Sequence, residues 1–244
     1  MRIADGLEML EIRREGGGPG ALNLTLIWDE GGAVLVDAGL PGQLDTIRKA
    51  MEEAGVPFES LKRVIITHHD MDHIGSLSSV VKALDNKVEV LAHEGEKPYI
   101  QGEKLPIKMT PERLAQREAQ LKALPEKERK AMQAMYDSIP TKVDRTVEDG
   151  EELPYCGGIV IIHTPGHTPG HICLYLKKYK ALVTGDAMNL MDGKLVGPNP
   201  VYTFDMDLAR ESLKKLSRYD IEKVICYHGG LYQDNLNQRI TELV

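Results

Sequence analysis

Thr67-His68-His69-Asp70-Met71-Asp72-His73-Ile74-Gly75 is the stretch on which the reading of this chain turns. It follows Arg63–Thr67 (RVIIT), a short apolar run of the buried-strand kind. Such a strand fixes where the next residues begin, and a loop lets alternate side chains converge. His68, Asp70, Asp72 and His73 are then four candidate ligands in one short segment. Imidazole suits zinc and other first-row metals, and carboxylate oxygens favour somewhat harder ions. His69 lies between them in an alternating loop, so it is expected to point away, beside the site or at the surface.

Outward from that stretch the pattern is strand and helix in alternation. Asn23–Trp28 and Ala33–Ala38 read as strands joined by the tight turn Asp29-Glu30-Gly31-Gly32. Gln43–Ala54 reads as a helix with Leu44, Ile47, Ala50, Met51 and Ala54 on one face, ended by Gly55. Leu77–Leu84 is predicted helical and Val88–Ala92 a strand. This alternation argues for an α/β architecture. Residues 103–140 differ: Thr110-Pro111-Glu112 is a helix start, Leu114, Leu121 and Leu124 follow at helical spacing, and a second helix carries Ala131, Met132, Met135 and Ile139. The expectation is a helical insertion whose apolar stripe packs on the body, with a substrate lid as the other reading.

Downstream, Gly158–Ile162, Ile172–Leu176, Lys180–Thr184 and Lys223–Tyr227 are short apolar runs, with Asp207–Leu216 a helix between the last two. Each run adjoins a polar cluster. One is His163-Thr164-Pro165-Gly166-His167-Thr168-Pro169-Gly170-His171, whose Pro-Gly steps make rigid turns. Gly185-Asp186 and Tyr227-His228-Gly229 end two further strands, with glycines that let backbone come close to a crowded centre. Four strand ends tipped with ligand-type residues are hard to explain by packing. His163 and His171 read as hydrogen-bonding residues, His93 as an ordinary polar residue, and Cys226 as a core thiol. Asp37 is expected either to cap a turn or to orient a ligand histidine.

These residues resemble the metallo-β-lactamase fold hydrolases. Val34-Leu35-Val36-Asp37-Ala38-Gly39, THHDMDHIG at 67–75, His163–Gly170, Gly185-Asp186 and Tyr227-His228-Gly229 occur in that family's order. The family pattern HxHxDH is here His68-x-Asp70-x-Asp72-His73, and the chain is most similar to uncharacterised bacterial members of that kind. The resemblance implies an αββα sandwich of two mixed sheets, one such domain over 1–244 with an insertion at about 103–140. It implies two metal ions. His68, Asp70 and His167 would hold the first, Asp72, His73 and His228 the second, and Asp186 would bridge them, with Asp72 also given the catalytic role. Zinc is the first expectation. Asp70 in place of histidine adds negative charge, makes a bound water less acidic and favours iron or manganese. A metal-bridging hydroxide would attack an ester, lactone, thioester or amide-type carbonyl.

Substrate is not named by the resemblance. Lactonases of this kind carry a tyrosine shortly after the bridging aspartate, whereas Asp186 is followed by Ala-Met-Asn-Leu, leaving Tyr202 or Tyr227 for that place. A glyoxalase-II-like thioesterase calls for basic residues downstream, for which Lys194 and Arg210 are the candidates. Two other classes compete: a diiron oxidoreductase working with a flavin partner, and a non-catalytic metal-binding module, which the full ligand set argues against. A net charge of −7 gives no reason to expect nucleic acid or anionic membrane as partner, so a small-molecule substrate is expected. The charged N-terminal stretch MRIADGLEMLEIRR is unlike a signal peptide, and three cysteines make no disulfide framework, so a cytoplasmic location is expected.

Overall fold

The computed structural model describes residues 1–13 and 20–243. Arg14, the last residue of the charged N-terminal stretch, lies outside them. The first half of the chain forms a seven-stranded sheet in sequence order. Its strands are β1 (Arg2–Ala4), β2 (Leu7–Arg13), β3 (Ala21–Asp29), β4 (Gly32–Val36), β5 (Leu61–Ile66), β6 (Glu89–His93) and β7 (Arg145–Val147). From β1 to β4 the pairing is antiparallel, and from β4 to β7 it is parallel. The parallel connections carry the helices α1 (Leu44–Glu53), α2 (Met71–Ile74), α3 (Leu77–Ala83), α4 (Lys97–Ile100), α5 (Pro111–Ala123) and α6 (Glu126–Asp137). Strand β2 is not among the strands read from the sequence. Three of its seven residues, Glu8, Glu11 and Arg13, are charged, and the adjacent pair Met9-Leu10 breaks the polar–apolar alternation that marks a strand.

The second half forms a six-stranded sheet. It is built from β8 (Glu152–Leu153), β9 (Ile159–His163), β10 (Ile172–Leu176), β11 (Ala181–Val183), β14 (Lys223–Cys226) and β15 (Gly230–Tyr232). Only β11 and β14 run parallel; the other neighbours are antiparallel. A small hairpin of β12 (Asn189–Met191) and β13 (Lys194–Val196) stands apart, and α7 (Met206–Leu213) and α8 (Leu236–Glu242) follow.

Side-chain alternation sorts the apolar residues into three layers. Val34, Val36, Ile65 and Leu91 face Ile159, Ile161, Ile172, Leu174 and Val183 between the sheets. Their strand neighbours Leu35, Val64, Ile66 and Val90 point outward against Ile47 and Met51 of α1 and Leu77 and Val80 of α3. On the opposite outer face, Ile162, Cys173, Leu182, Val224 and Cys226 meet Leu213, Leu216, Leu236 and Ile240. Helices therefore cover both outer faces of two mixed sheets, the αββα arrangement expected. Because β4 and the second half of β5, Val64–Ile66, are buried on both faces, they read as apolar runs, whereas Lys62 and Arg63 at the start of β5 are not buried. The sheets also touch at one edge, where the Asn23 amide donates to the Tyr227 carbonyl at 2.9 Å and Leu22 bridges His228.

The helix start at Thr110 is where the sequence places it: its hydroxyl accepts from the Arg113 amide at 3.3 Å. The expected packing of the stripe is met only at its far end, where Ile139, just past α6, is buried in the core and Tyr136 packs against it, while Met132 stays exposed. No residue of α5 or α6 is buried, and Leu114, Leu121 and Leu124 are only half-buried. The two helices lean on one another instead, with the Arg117 guanidinium 3.7 Å from the Tyr136 ring centre. No helix among the described residues is long and apolar enough to cross a membrane.

Candidate metal centre

Strand β4 leads into Asp37, whose φ of +63° turns the chain sharply. Its carboxylate accepts the Thr67 amide at 2.8 Å and the Thr67 hydroxyl at 2.8 Å, tying the end of β4 to the end of β5. It also accepts from Nδ1 of His73 at 2.8 Å. Both roles weighed for Asp37 are thus filled by one side chain. The Thr67 hydroxyl donates to Asp37, so it accepts from Nδ1 of His68, 3.0 Å away. With both Nδ1 atoms engaged, Nε2 of His68 and Nε2 of His73 are the atoms left to face the centre.

The remaining groups converge on the same place from the second sheet. His167 comes from the rigid β9–β10 turn, Asp186 from the end of β11 and His228 from the end of β14. Ligand atoms of His68, Asp70, His167 and Asp186 lie within 4.8 Å of one another, and so do those of Asp72, His73 and His228. Asp186 stands between the groups. Its Oδ2 is 3.4 Å from Nε2 of His167, and its Oδ1 is 3.4 Å from Nε2 of both His73 and His228. All seven residues singled out in the sequence are brought together.

The donor set fits metal ions. Nε2 of His68, Nε2 of His73 and Oδ1 of Asp186 are buried without a hydrogen-bond partner. Orphaned buried polar atoms are costly, and three aimed into one space are explained by a cation that accepts their lone pairs. Charge points the same way. Burial would raise the Asp186 carboxyl, but His73, His68 and His167 hold it well below the usual carboxylate range. Burial would likewise raise Asp70, but hydrogen bonds from His167 and His68 and the charge of Lys108 hold it far down. Burial, with His73 nearby, pushes His68 well below an ordinary imidazole, which keeps its lone pair free.

Other histidines hold the frame. His171 hydrogen-bonds Oγ1 of Thr164 through Nδ1 at 2.8 Å and accepts the Asp186 amide on Nε2 at 3.1 Å, so it places Asp186. Gly185 is required there: a Cβ on it would lie 2.7 Å from that Nε2, at a φ of +48°. Gly229 beside His228 is equally constrained, since a Cβ would come within 2.1 Å of the Leu190 carbonyl oxygen. His163 donates to the Pro169 carbonyl at 3.0 Å and stacks on His93. Cys226 is a core thiol, pushed up to about 12 by burial.

His69 does point away from the ligands, but it is buried rather than at the surface. It meets Glu96, a fully buried carboxylate at the N-terminus of α4. Glu96 accepts from the amide and Nδ1 of His69, from the Thr168 hydroxyl at 2.7 Å and from the Gly170 amide at 2.7 Å. One carboxylate thereby joins the loop of His68 and Asp70 to the loop of His167. Nothing in the sequence EGEK around Glu96 marks it, because its partners lie far along the chain. Lys108 escapes a sequence reading for the same reason: its ammonium contacts Asp70 and lies 2.8 Å from Nε2 of His167. Tyr227, considered for the lactonase role, is committed elsewhere: it stacks on His73 and its hydroxyl donates to the Asp72 carbonyl.

Beside Asp186 and His228 opens a cavity of about 1420 Å³. Met9, Leu22, Leu190, Val196, Pro198 and Tyr202 are among its walls. Arg13 is the only lysine or arginine on it among the described residues, and it is paired with Glu11 at 2.5 Å. Lys194 and Arg210 are exposed elsewhere.

Comparison with known proteins agrees with this geometry. A family model described as "Metallo-beta-lactamase superfamily" matches residues 17–228. "Probable metallo-hydrolase YflN" of Bacillus subtilis (strain 168) is 31% identical over 223 residues, covering 86% of this chain and 80% of that protein. The crystal structure of metallo-beta-lactamase family protein TTHA1429 from Thermus thermophilus superposes with a TM-score of 0.73 at 25% identity, covering 99% of this chain and 79% of that one. TTHA1623, solved in a di-iron-bound form, gives a TM-score of 0.62 at 27% identity over 92% of this chain and 96% of that one.

Proposed function

The chain belongs to the metallo-beta-lactamase superfamily, and from that premise we propose that it is a hydrolase acting on a neutral acyl substrate through two divalent ions. His68, Asp70 and His167 hold one ion, Asp72, His73 and His228 the other, and Asp186 reaches both. The observation that carries this reading is the set of buried, unpartnered atoms His68 Nε2, His73 Nε2 and Asp186 Oδ1 in one space. Such ions, when bound, acidify water toward neutrality and polarise a carbonyl, the chemistry of ester, lactone, thioester or amide cleavage.

The protein supplies orientation. Asp37 and Thr67 fix the tautomers of His73 and His68, so no ligand has to turn before it can act. Asp72, a quarter exposed and 3.3 Å from His228, is the carboxylate to which we assign the proton transfer. The apolar cavity takes the acyl group. Among the described residues its one arginine, Arg13, is paired with Glu11, which disfavours a glutathione thioester, whose carboxylates would need a free cation. Tyr202, which lines the cavity and is exposed, is the tyrosine available to the substrate carbonyl. A cytoplasmic location and zinc as the physiological metal complete the proposal.

The test is elemental analysis of protein purified without chelators, with an ester, lactone, thioester and lactam panel on the same sample. Two ions per chain, chelator-sensitive turnover, and a fall of more than about 100-fold in Asp186→Ala are expected. Fewer than one ion per chain with no effect of Asp186→Ala would overturn it. The acidic ligand Asp70 and the di-iron form of TTHA1623 favour one second reading, a diiron oxidoreductase with a flavin partner. Two irons and no turnover on the panel would select it.

A further inference from the structure

The two ligand groups differ in one respect that the ligands themselves do not explain. Asp72, His73 and His228 have no lysine or arginine among their ion pairs in the described residues. In the other group the Lys108 ammonium contacts Oδ2 of Asp70 and lies 2.8 Å from Nε2 of His167. Its side chain is only 14% exposed, so it is a largely desolvated charge held by these two partners. One lone pair on His167 Nε2 cannot serve an N–H donor and a metal ion together.

We propose that Lys108 is an internal cation of the first ligand group, which a metal ion must displace, so that the centre fills in order: Asp72–His73–His228 first, His68–Asp70–His167 second. This rests on the metal-centre reading above. Displacement is physically open because no residue of the segment that carries the lysine, 103–110, is buried in the core. Residues 103–110 have no regular secondary structure, and α5 and α6 beyond them bury no residue. The segment's other ties include the Ile107 amide, which donates to Nε2 of His69 at 3.3 Å, the Lys108 carbonyl, which accepts from Arg113 at 3.1 Å, and, at its start, the Lys104 amide, which donates to the Pro98 carbonyl of α4 at 3.0 Å. Filling the first group therefore also frees the arm that leads into the helical hairpin. Lys108 is a positioning residue in this account: it holds Asp70 and His167 together and exchanges with the ion.

The test uses chelator-stripped full-length protein titrated with zinc against a chromophoric competitor at one fixed pH. Wild type is expected to bind two ions in unequal steps. Lys108→Met should tighten the weaker step about ten- to hundred-fold, the worth of charge-assisted hydrogen bonds no longer lost, and leave the tighter step in place. Lys108→Arg, which keeps the cation, should retain the separation. A readout independent of affinity is amide hydrogen exchange over 103–110: metal should accelerate it in wild type, and in Lys108→Met it should be fast before metal is added. Equal weaker steps in wild type and Lys108→Met, or exchange indifferent to metal in wild type, would overturn the proposal while leaving the metal reading intact. Binding of no metal by either protein would overturn both.

Discussion

The sandwich and the helical hairpin at 111–137 look alike in sequence, since both carry apolar residues at regular spacing. They differ in what those residues meet. Ile65 on β5 is fully buried between two sheets, whereas Leu121 on α5 is half-buried against a neighbouring helix and solvent. Regular spacing makes a face; whether the face is covered depends on what comes to lie opposite. The body is held by apolar burial on every layer, while the hairpin meets it through Tyr136 and Ile139 at one end and a few polar contacts around residues 107–108 and α4. That is where a mobile, substrate- or metal-responsive part would be attached.

This contrast can be broken, starting where the largest effect is expected. Glu96→Ala removes a buried carboxylate from four donors and should cost about 3–5 kcal/mol, read by denaturant unfolding of the metal-free protein. An effect no larger than that of a surface change would mean that the two ligand loops do not depend on it. The same group predicts a pH dependence. Burial opposes ionisation of Glu96, but hydrogen bonds from His69, Thr168 and Gly170 win and lower its pKa below the ordinary 4.5. Its unfolded form then takes up a proton first as pH falls, so its contribution is full above the ordinary value and is lost as pH drops through the folded one. Unfolding curves of wild type and Glu96→Gln should therefore converge in acid.

Ile65→Ala should cost about 2–5 kcal/mol in the same assay, because the facing sheets cannot close a cavity between them. Asp37→Asn should change stability less, yet weaken metal binding roughly 10–100-fold by removing the acceptor that holds the His73 tautomer. Competition titration reads that directly. The smallest effect belongs to the hairpin: Leu121→Ala should stay within about 0.5 kcal/mol. A cost near that of Ile65→Ala would show that the hairpin packs in solution as its apolar spacing suggests.

Much of the site is legible in the order of residues along the chain. His68, Asp70, Asp72, His73, His167, Asp186 and His228 each follow or adjoin an apolar strand, and a strand end is a place that local sequence marks. The hydrogen-bonding roles expected of His163 and His171, which flank His167 four residues away on either side, are also the ones they fill. Strand β2 is less legible, because Glu8, Glu11 and Arg13 sit within it. The hairpin β12–β13 is hidden for a related reason: each strand is three residues long, too short for periodicity to register.

What the sequence determined by itself was the order of strands and ligands, because strand propensity, turn residues and donor chemistry are properties of neighbouring residues. What only the tertiary structure decided was which distant groups share a space. It brought Glu96 to His69 and Thr168, committed Tyr227 to Asp72, and laid Lys108 on Asp70 and His167. The physical reason is the range of the information. Secondary structure is set by contacts a few residues apart, whereas the partner of a buried charge is chosen by desolvation, which acts only once the chain has closed around it.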